Sequence, residues 1–482
     1  MQDLVILLAT ICFLSAGLMV PFVLALGYVW VDIFGPHLIS ASLLTGQPVA
    51  FIMGAAAVTM YLVKDRKSPP KFTAITACQL LLCVWVTLTT MWAVAPDTSW
   101  MRLDQSLKVA LFATFLPYAI RTRVQIEALL IVYLFSIAAH TVPWGVKTFL
   151  SGGGYDRSLG LGTTAGSLLQ ESSTVSAVCV MVIPLLLVLR KDSILLPKGK
   201  LREYGLLVLV ILGPVAAIGT FARTALVAFA VTGSFMWVRS RRKVLSLVST
   251  LILGGIAFSV TSDKWLARIN TINDYQADTS ANVRVLVWEW ALKFLASHPF
   301  GGGFWVWVTN RIELPTTPGS APMFQTARAF HNVFIALLAE HGYIGFLLYV
   351  GMLVATLVAL QQAQKITRDL PEHTWCADLA KALQVSIITM YAAGLFVEIG
   401  WTPLIWYLIS MAVCLREYAR RVGAPKATLA EQHRLRIGGA AQSPAQSPTQ
   451  PGPRPAMPTA PARPAFGAGM TTSFRPSNIR EM

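Results

Sequence analysis

Apolar residues in this chain run in blocks of nearly uniform length instead of alternating with polar ones. Runs of about 16 to 22 residues recur at roughly 4–19, 20–36, 46–63, 72–94, 103–120, 124–142, 174–189, 205–220, 224–238, 244–260, 343–360, 379–399 and 402–415, each near bilayer thickness if helical. About 12 or 13 spans are expected. No segment shows the ten-residue alternation of a lipid-facing barrel, and backbone polar groups in lipid must be satisfied internally. The pattern predicts an all-α, polytopic integral membrane protein. The first run follows Met1-Gln2-Asp3 with neither a basic flank nor a small-residue cleavage site, so it is expected to be a retained span.

Composition agrees with this reading. A chain of 482 residues with 55% hydrophobic and only 13% charged residues is no ordinary soluble globule. Its charge refines the picture. Lys64-Asp65-Arg66-Lys67, Arg121-Thr122-Arg123, Arg190-Lys191 with Lys198, Lys200 and Arg202, Arg239-Ser240-Arg241-Arg242-Lys243, and Lys365 with Arg368 occupy alternate loops. The positive-inside rule puts these on the cytoplasmic side. The intervening connections, 95–101, 143–173, the turn around Arg223, 261–330 and the turn near Gly400, then face outward, to the periplasm in a Gram-negative cell.

The net charge of +16 could suggest nucleic acid, but +7 of it falls in the tail from Arg416 onward and most of the rest in short loops. Topology and contact with anionic membrane lipids explain it better, and no nucleic-acid partner is expected. The tail changes character abruptly, with nine prolines between Pro444 and Pro476. The domain reading is a transmembrane domain over 1–422, with one large periplasmic loop at 261–330, and a disordered, basic, Pro/Ala-rich cytoplasmic tail over 423–482. Five cysteines lie in apolar runs and Cys376 in a short loop, which suggests neither a disulfide framework nor a metal cluster.

Polar residues at the outward mouths of the spans are the candidate chemistry, because ionisable groups near hydrocarbon are costly to keep. Within 261–330, Ser280 to Ala296 reads as an apolar helix with Thr279 or Ser280 as its cap, ended by His298-Pro299-Phe300-Gly301-Gly302-Gly303. Arg284 and Trp288 share one face of it at i, i+4 spacing. A cation snorkelling from an interfacial helix is the plain alternative for Arg284. Arg223 is the one charged residue in Gly205 to Val238, a stretch that would make a helix of roughly 51 Å, too long for one span. Two short helices with Arg223 at the outer turn are expected. Such an arginine wants an anion, whether substrate or lipid headgroup. His331-Asn332 then opens an apolar helix that should break at Gly342, leaving 331–341 as a separate outer segment. His331 is either structural or catalytic on this basis, and His341, His298 and Glu340 are weaker candidates.

The pattern His331-Asn332, nine residues, then Gly342-x-x-Gly345 resembles the Wzy/O-antigen ligase superfamily of polytopic membrane glycosyltransferases. Gly219-Thr-Phe-Ala-Arg223-Thr-Ala-Leu is similar to that family's turn, and Asn282-Val-Arg284 through Trp288 to His298-Pro299-Phe300-Gly301 to its helix and turn. The N-terminal hairpin, Gly152-Gly-Gly-Tyr-Asp-Arg157 and Ala327-Arg328-Ala-Phe-His331 resemble the exosortase-associated O-glycosylation ligase branch. The resemblance implies transfer of a glycan from undecaprenyl diphosphate to a lipid or protein acceptor hydroxyl at the periplasmic face of the inner membrane, with no cofactor and no metal. It implies that Arg223 and Arg284 stabilise the departing diphosphate and that His331 orients or deprotonates the acceptor. Arg157, Arg328, Asn332 and Trp288 follow as substrate-binding candidates. The alternatives are a polymerase of lipid-linked repeat units, which differs only in its acceptor, and a transporter or flippase of lipid-linked sugars.

Overall fold

The computed structural model describes residues 2–65, 69–152, 169, 171–240, 279–314 and 323–423, with a few isolated residues between 243 and 255. Arg157, most of the run at 244–260, Arg66, Lys67, Arg241, Arg242, parts of the large loop (261–278 and 315–322) and the tail from 424 onward lie outside the described residues.

Nearly every described apolar run is helical. In chain order the helices are α1 (Gln2–Met19), α2 (Phe22–Phe34), α3 (Pro36–Ile39), α4 (Val49–Lys64), α5 (Ala74–Met91), α6 (Pro96–Ala119), α7 (Arg123–Ser151), α8 (Ser172–Met181), α9 (Ile183–Asp192), α10 (Lys200–Gly219), α11 (Arg223–Arg239), α12 (Thr279–Ser297), α13 (Val333–Thr367), α14 (Thr374–Ala393) and α15 (Pro403–Val422). The chain is an all-α, multi-pass membrane protein. Six spans among the described residues are long and apolar enough to cross a membrane: α1, α5, α7, the stacked α8 and α9, α10 and α13. The shortfall from 12 or 13 has a physical reason. Helices α2, α4 and α11 are apolar but short, while α6, α14 and α15 carry charged residues such as Arg102, Lys381 and Arg416. Cys376, expected in a loop, is buried in α14.

The bundle has two chemically distinct ends. At one, Arg123 Nη2 donates to Asp192 O at 2.8 Å, Arg421 Nη2 to Arg121 O at 2.9 Å, and Lys191 Nζ pairs with Asp378 at 2.5 Å. The basic loops after α6, α9 and α13 and the end of α15 therefore gather together. At the other end lie the C-terminus of α7, the α10–α11 turn and the turn that follows α12. Direction is set by contacts along the helices: α7 starts at the basic end with Arg123, and a Cβ on Gly219 would collide with Thr148 near the far end of α7.

The device that shapes this second end is a break in α13. Gly342 has φ 63° and ψ −167°, which splits the helix. The turn after α12 docks into the gap: Gly302 and Gly303 N–H donate to Ala339 O and Glu340 O at 3.0 and 2.9 Å, and Tyr343 N–H donates to Pro299 O at 3.1 Å. Freed carbonyls are thus satisfied by a neighbouring loop. Both sides need glycine, since Gly301 also has positive φ (86°) and a Cβ on either residue would strike the opposite backbone. Two short strands, β1 (Arg311–Leu314) and β2 (Met323–Thr326), pair antiparallel as a small hairpin, which the apolar pattern does not reveal.

Candidate functional site

Residues 328 to 333 cross the second end as an irregular strap held at each step. Asn310, almost fully buried, brackets Arg328: its Nδ2 donates to Arg328 O at 2.6 Å and its Oδ1 accepts from Arg328 N–H at 3.0 Å. Trp288 Nε1 donates to Phe330 O at 2.7 Å. His331 N–H donates to Glu398 Oε1 at 3.1 Å, and Val333 N–H to Gly394 O at 2.8 Å. Between these anchors His331 sits at φ 47°, a left-handed conformation that costs a non-glycine residue about 1–3 kcal/mol and persists only where surroundings enforce it. Asn332 caps α13, its Oδ1 accepting from Phe334 and Ile335 N–H at 3.0 and 3.3 Å.

The strap forms one wall of a cavity of about 470 Å³ that also takes in α12 and the hairpin; its polar lining is Arg284, Trp307, Gln325, Arg328 and His331. Two arginines and a histidine therefore border one space large enough for a small ligand. On the inner side, the imidazole Nδ1 lies 3.3 Å from Glu171 Oε1. Behind it lies Glu398, half-buried. Burial pushes its carboxyl above the usual range, against the pull of the His331 imidazole and of the His331 and Phe330 amides. Glu398 also borders a second, small cavity of about 40 Å³ with Arg102, Trp305 and Glu340, room for one or two waters. There Glu340 Oε1 accepts from Trp305 N–H at 2.9 Å and the Arg102 guanidinium lies 5.5 Å from the Trp305 ring centre.

Of the residues singled out from sequence, the structure thus brings Arg284, Arg328 and His331 to one cavity. Trp288 and Asn332 stand behind it, holding the strap and the helix start. Arg223 is the first residue of α11, after the turn at 220–222, and shares the bundle end but is not in the wall of this cavity. Arg157 lies outside the described residues. His341 is fully buried against Thr89, Phe304 and Trp401, so its place is in the packing. Glu171, Glu398 and Arg102 were not singled out. Glu398 had a usable signal, an acid between Val397 and Ile399 in an apolar run. Glu171 and Arg102 are set beside the site only by the fold. Among the described residues no three His, Cys, Asp or Glu side chains are grouped to hold a metal ion.

Comparison with known families adds two matches. Residues 206–350 match the family model described as O-antigen ligase, and residues 1–194 match a family of unknown function (DUF5935). No curated protein matches the chain. Arg223, Arg284, Arg328 and His331 all fall in the first matched segment, whereas Glu398 lies beyond both.

Proposed function

Because the chain stands in the Wzy/O-antigen ligase superfamily through residues 206–350, we propose that it is a glycosyltransferase of ligase type, moving a glycan from undecaprenyl diphosphate to a hydroxyl of a lipid or protein acceptor. The superfamily itself implies membrane ligase- or polymerase-type transfer with lipid-linked glycan partners in general. The carrying observation for the finer reading is the cavity that gathers Arg284, Arg328 and His331.

Breaking the anomeric C–O–P bond releases a diphosphate with added negative charge. Preformed donors aimed at that charge lower the barrier, and guanidinium groups do so through paired hydrogen bonds to phosphate oxygens. Arg284 and Arg328 take that role, with Arg223 at the same bundle end as a further contact to the anionic donor. His331 accepts the proton of the acceptor hydroxyl as it attacks the anomeric carbon. Glu171, 3.3 Å from its Nδ1, and Glu398 stabilise the resulting imidazolium.

Two features support an outward-facing site in a bacterial inner membrane. The basic loops gather at the opposite end of the bundle, as expected of a cytoplasmic face. The polar residues of the cavity cluster at one end instead of at mid-span, which favours transfer over transport. The narrower exosortase-associated assignment is part of the same proposal and rests on the sequence stretches alone.

The test is glycan transfer by purified, reconstituted protein supplied with undecaprenyl diphosphate-linked glycan and candidate acceptors, with the conjugate identified by mass. His331→Ala should insert normally and form no conjugate. Undiminished transfer by that variant would refute the assignment.

A further inference from the structure

We propose that Arg102, on α6, is a positioning residue for the transfer reaction, a role that rests on the transfer reading above: its guanidinium acts across the small cavity on Glu398 and Glu340, keeps them ionised for the backbone groups they hold, and so fixes His331 from behind. Two residues beside the site are left-handed without being glycine, His331 at φ 47° and Trp305 at φ 55°. Such conformations persist only where the surroundings enforce them. Each is held by one carboxylate: Glu398 Oε1 accepts from His331 N–H at 3.1 Å, and Glu340 Oε1 from Trp305 N–H at 2.9 Å. Both carboxylates border the same cavity of about 40 Å³, and Arg102 is the one cation among its described lining residues.

Charge makes this arrangement depend on Arg102. Two carboxylates facing one small space disfavour each other's ionised form, and a nearby cation restores it. An ionised carboxylate is also the stronger acceptor of an N–H bond. Arg102 is available for this, since among the described residues its side chain donates only to the neutral Gln105 Oε1, at 3.1 Å, and its guanidinium lies 5.5 Å from the Trp305 ring centre. It interacts electrostatically with both Glu340 and Glu398. The charged and titratable groups acting around Glu398 are thus Arg102 from α6, Glu340 from α13, His331 from the strap and Glu171 just ahead of α8. Burial pushes the Glu398 carboxyl up, and Arg102 opposes that rise. Arg102 and Glu171 both belong to residues 1–194, the segment matched to a family of unknown function. What that segment brings to the site is charge around the histidine.

Arg102→Gln removes the charge and Arg102→Lys keeps it. Transfer from the lipid-linked glycan extracted from the source cells is measured against pH in nanodiscs for both, with and without Glu398→Gln. Arg102→Gln should lower kcat by roughly tenfold with KM for the donor unchanged. It should also move the acid limb of the kcat profile to higher pH, because the carboxyls then keep their protons further up. Arg102→Lys should restore most of the rate and the limb, and in Glu398→Gln protein Arg102→Gln should move the limb little. Thermal unfolding supplies a readout without activity. Removing the guanidinium raises the folded-state carboxyls further, so the melting temperature of Arg102→Gln minus that of wild type should grow more negative from acid toward neutral pH, and that trend should shrink when residue 398 is already Gln. A wild-type kcat profile in Arg102→Gln overturns the proposal, as does a raised KM with unchanged kcat, or a melting trend that is the same with and without Glu398→Gln. If wild type forms no conjugate, the transfer reading fails and this role with it, while the melting series still decides whether Arg102 holds Glu398 ionised.

Discussion

The backbone N–H of His331 is held by the carboxylate of Glu398, 67 positions further along the chain, at 3.1 Å. That bond pins a histidine in a left-handed conformation and aims its ring between Glu171 and the cavity. Glu398 is a positioning residue in this account, acting on the acceptor through His331. Glu398→Gln keeps an acceptor oxygen for the amide while removing the charge, and Glu398→Ala removes both. Transfer should fall by roughly 10²-fold in the alanine variant and markedly less in glutamine. Equal rates for alanine and wild type would contradict the role.

Glu398 also makes stability depend on pH. Its carboxyl is raised in the folded protein, chiefly by burial, so folding favours the protonated form. This contribution is fully present below the ordinary carboxylate range and is lost as pH rises through the raised value. Glu398→Gln has no such dependence. The melting temperature of the variant minus that of wild type should therefore grow more positive from acid toward neutral pH, read by thermal unfolding in detergent at several pH values.

The break in α13 makes a sharper structural prediction. Gly342→Ala puts a side chain at φ 63° and against the Pro299 carbonyl, and should cost about 1–3 kcal/mol or prevent folding. Gly233→Ala in α11, where a Cβ meets open space and φ is ordinary, should be neutral or stabilising by up to about 1 kcal/mol. A denaturant titration comparing the two checks the contrast.

Asn332 tests whether a residue beside the histidine acts through the helix start or through substrate. Replacing it by Ala should cost about 1 kcal/mol as a lost cap, and replacing it by Asp should restore stability. If Asp also restores transfer, capping is its contribution. Stable protein with lost transfer in the Asp variant would show instead that the carboxamide nitrogen meets substrate.

Asn310 and Arg328 form a further pair open to a double-mutant cycle. Asn310→Ala releases both hydrogen bonds that fix the backbone of Arg328. Each single change should weaken binding of undecaprenyl diphosphate, and the double change should do little more than Arg328→Ala alone. Full additivity would show that the asparagine does not act through the arginine.

Much of this architecture is legible in the chain because lipid imposes simple rules. The 34 residues from Gly205 to Val238 are too long for one span, and they fold as two helices hinged just before Arg223. The glycines at 342 and 301–303 announce a break and a turn, although not that one plugs the other. Long-range pairings are what a single sequence hides. Glu171 and Glu398 meet His331 from separate helix ends, and Val397 and Ile399 make Glu398 look like an interruption in a core run. The hairpin is not legible because Arg311-Ile-Glu-Leu314 is too short to stand out against its apolar surroundings. Trp288 and Asn332 were visible as residues, but their bonds to Phe330 O and to the α13 amides depend on backbone geometry.

In the proposed transfer, charge on the departing diphosphate is met by guanidinium groups in the cavity of His331. Single-turnover release of undecaprenyl diphosphate from a glycan-bearing donor measures this directly. Arg284→Ala and Arg328→Ala should each slow release by about 10–10³-fold while the protein stays folded. Release at the wild-type rate from both variants would contradict it.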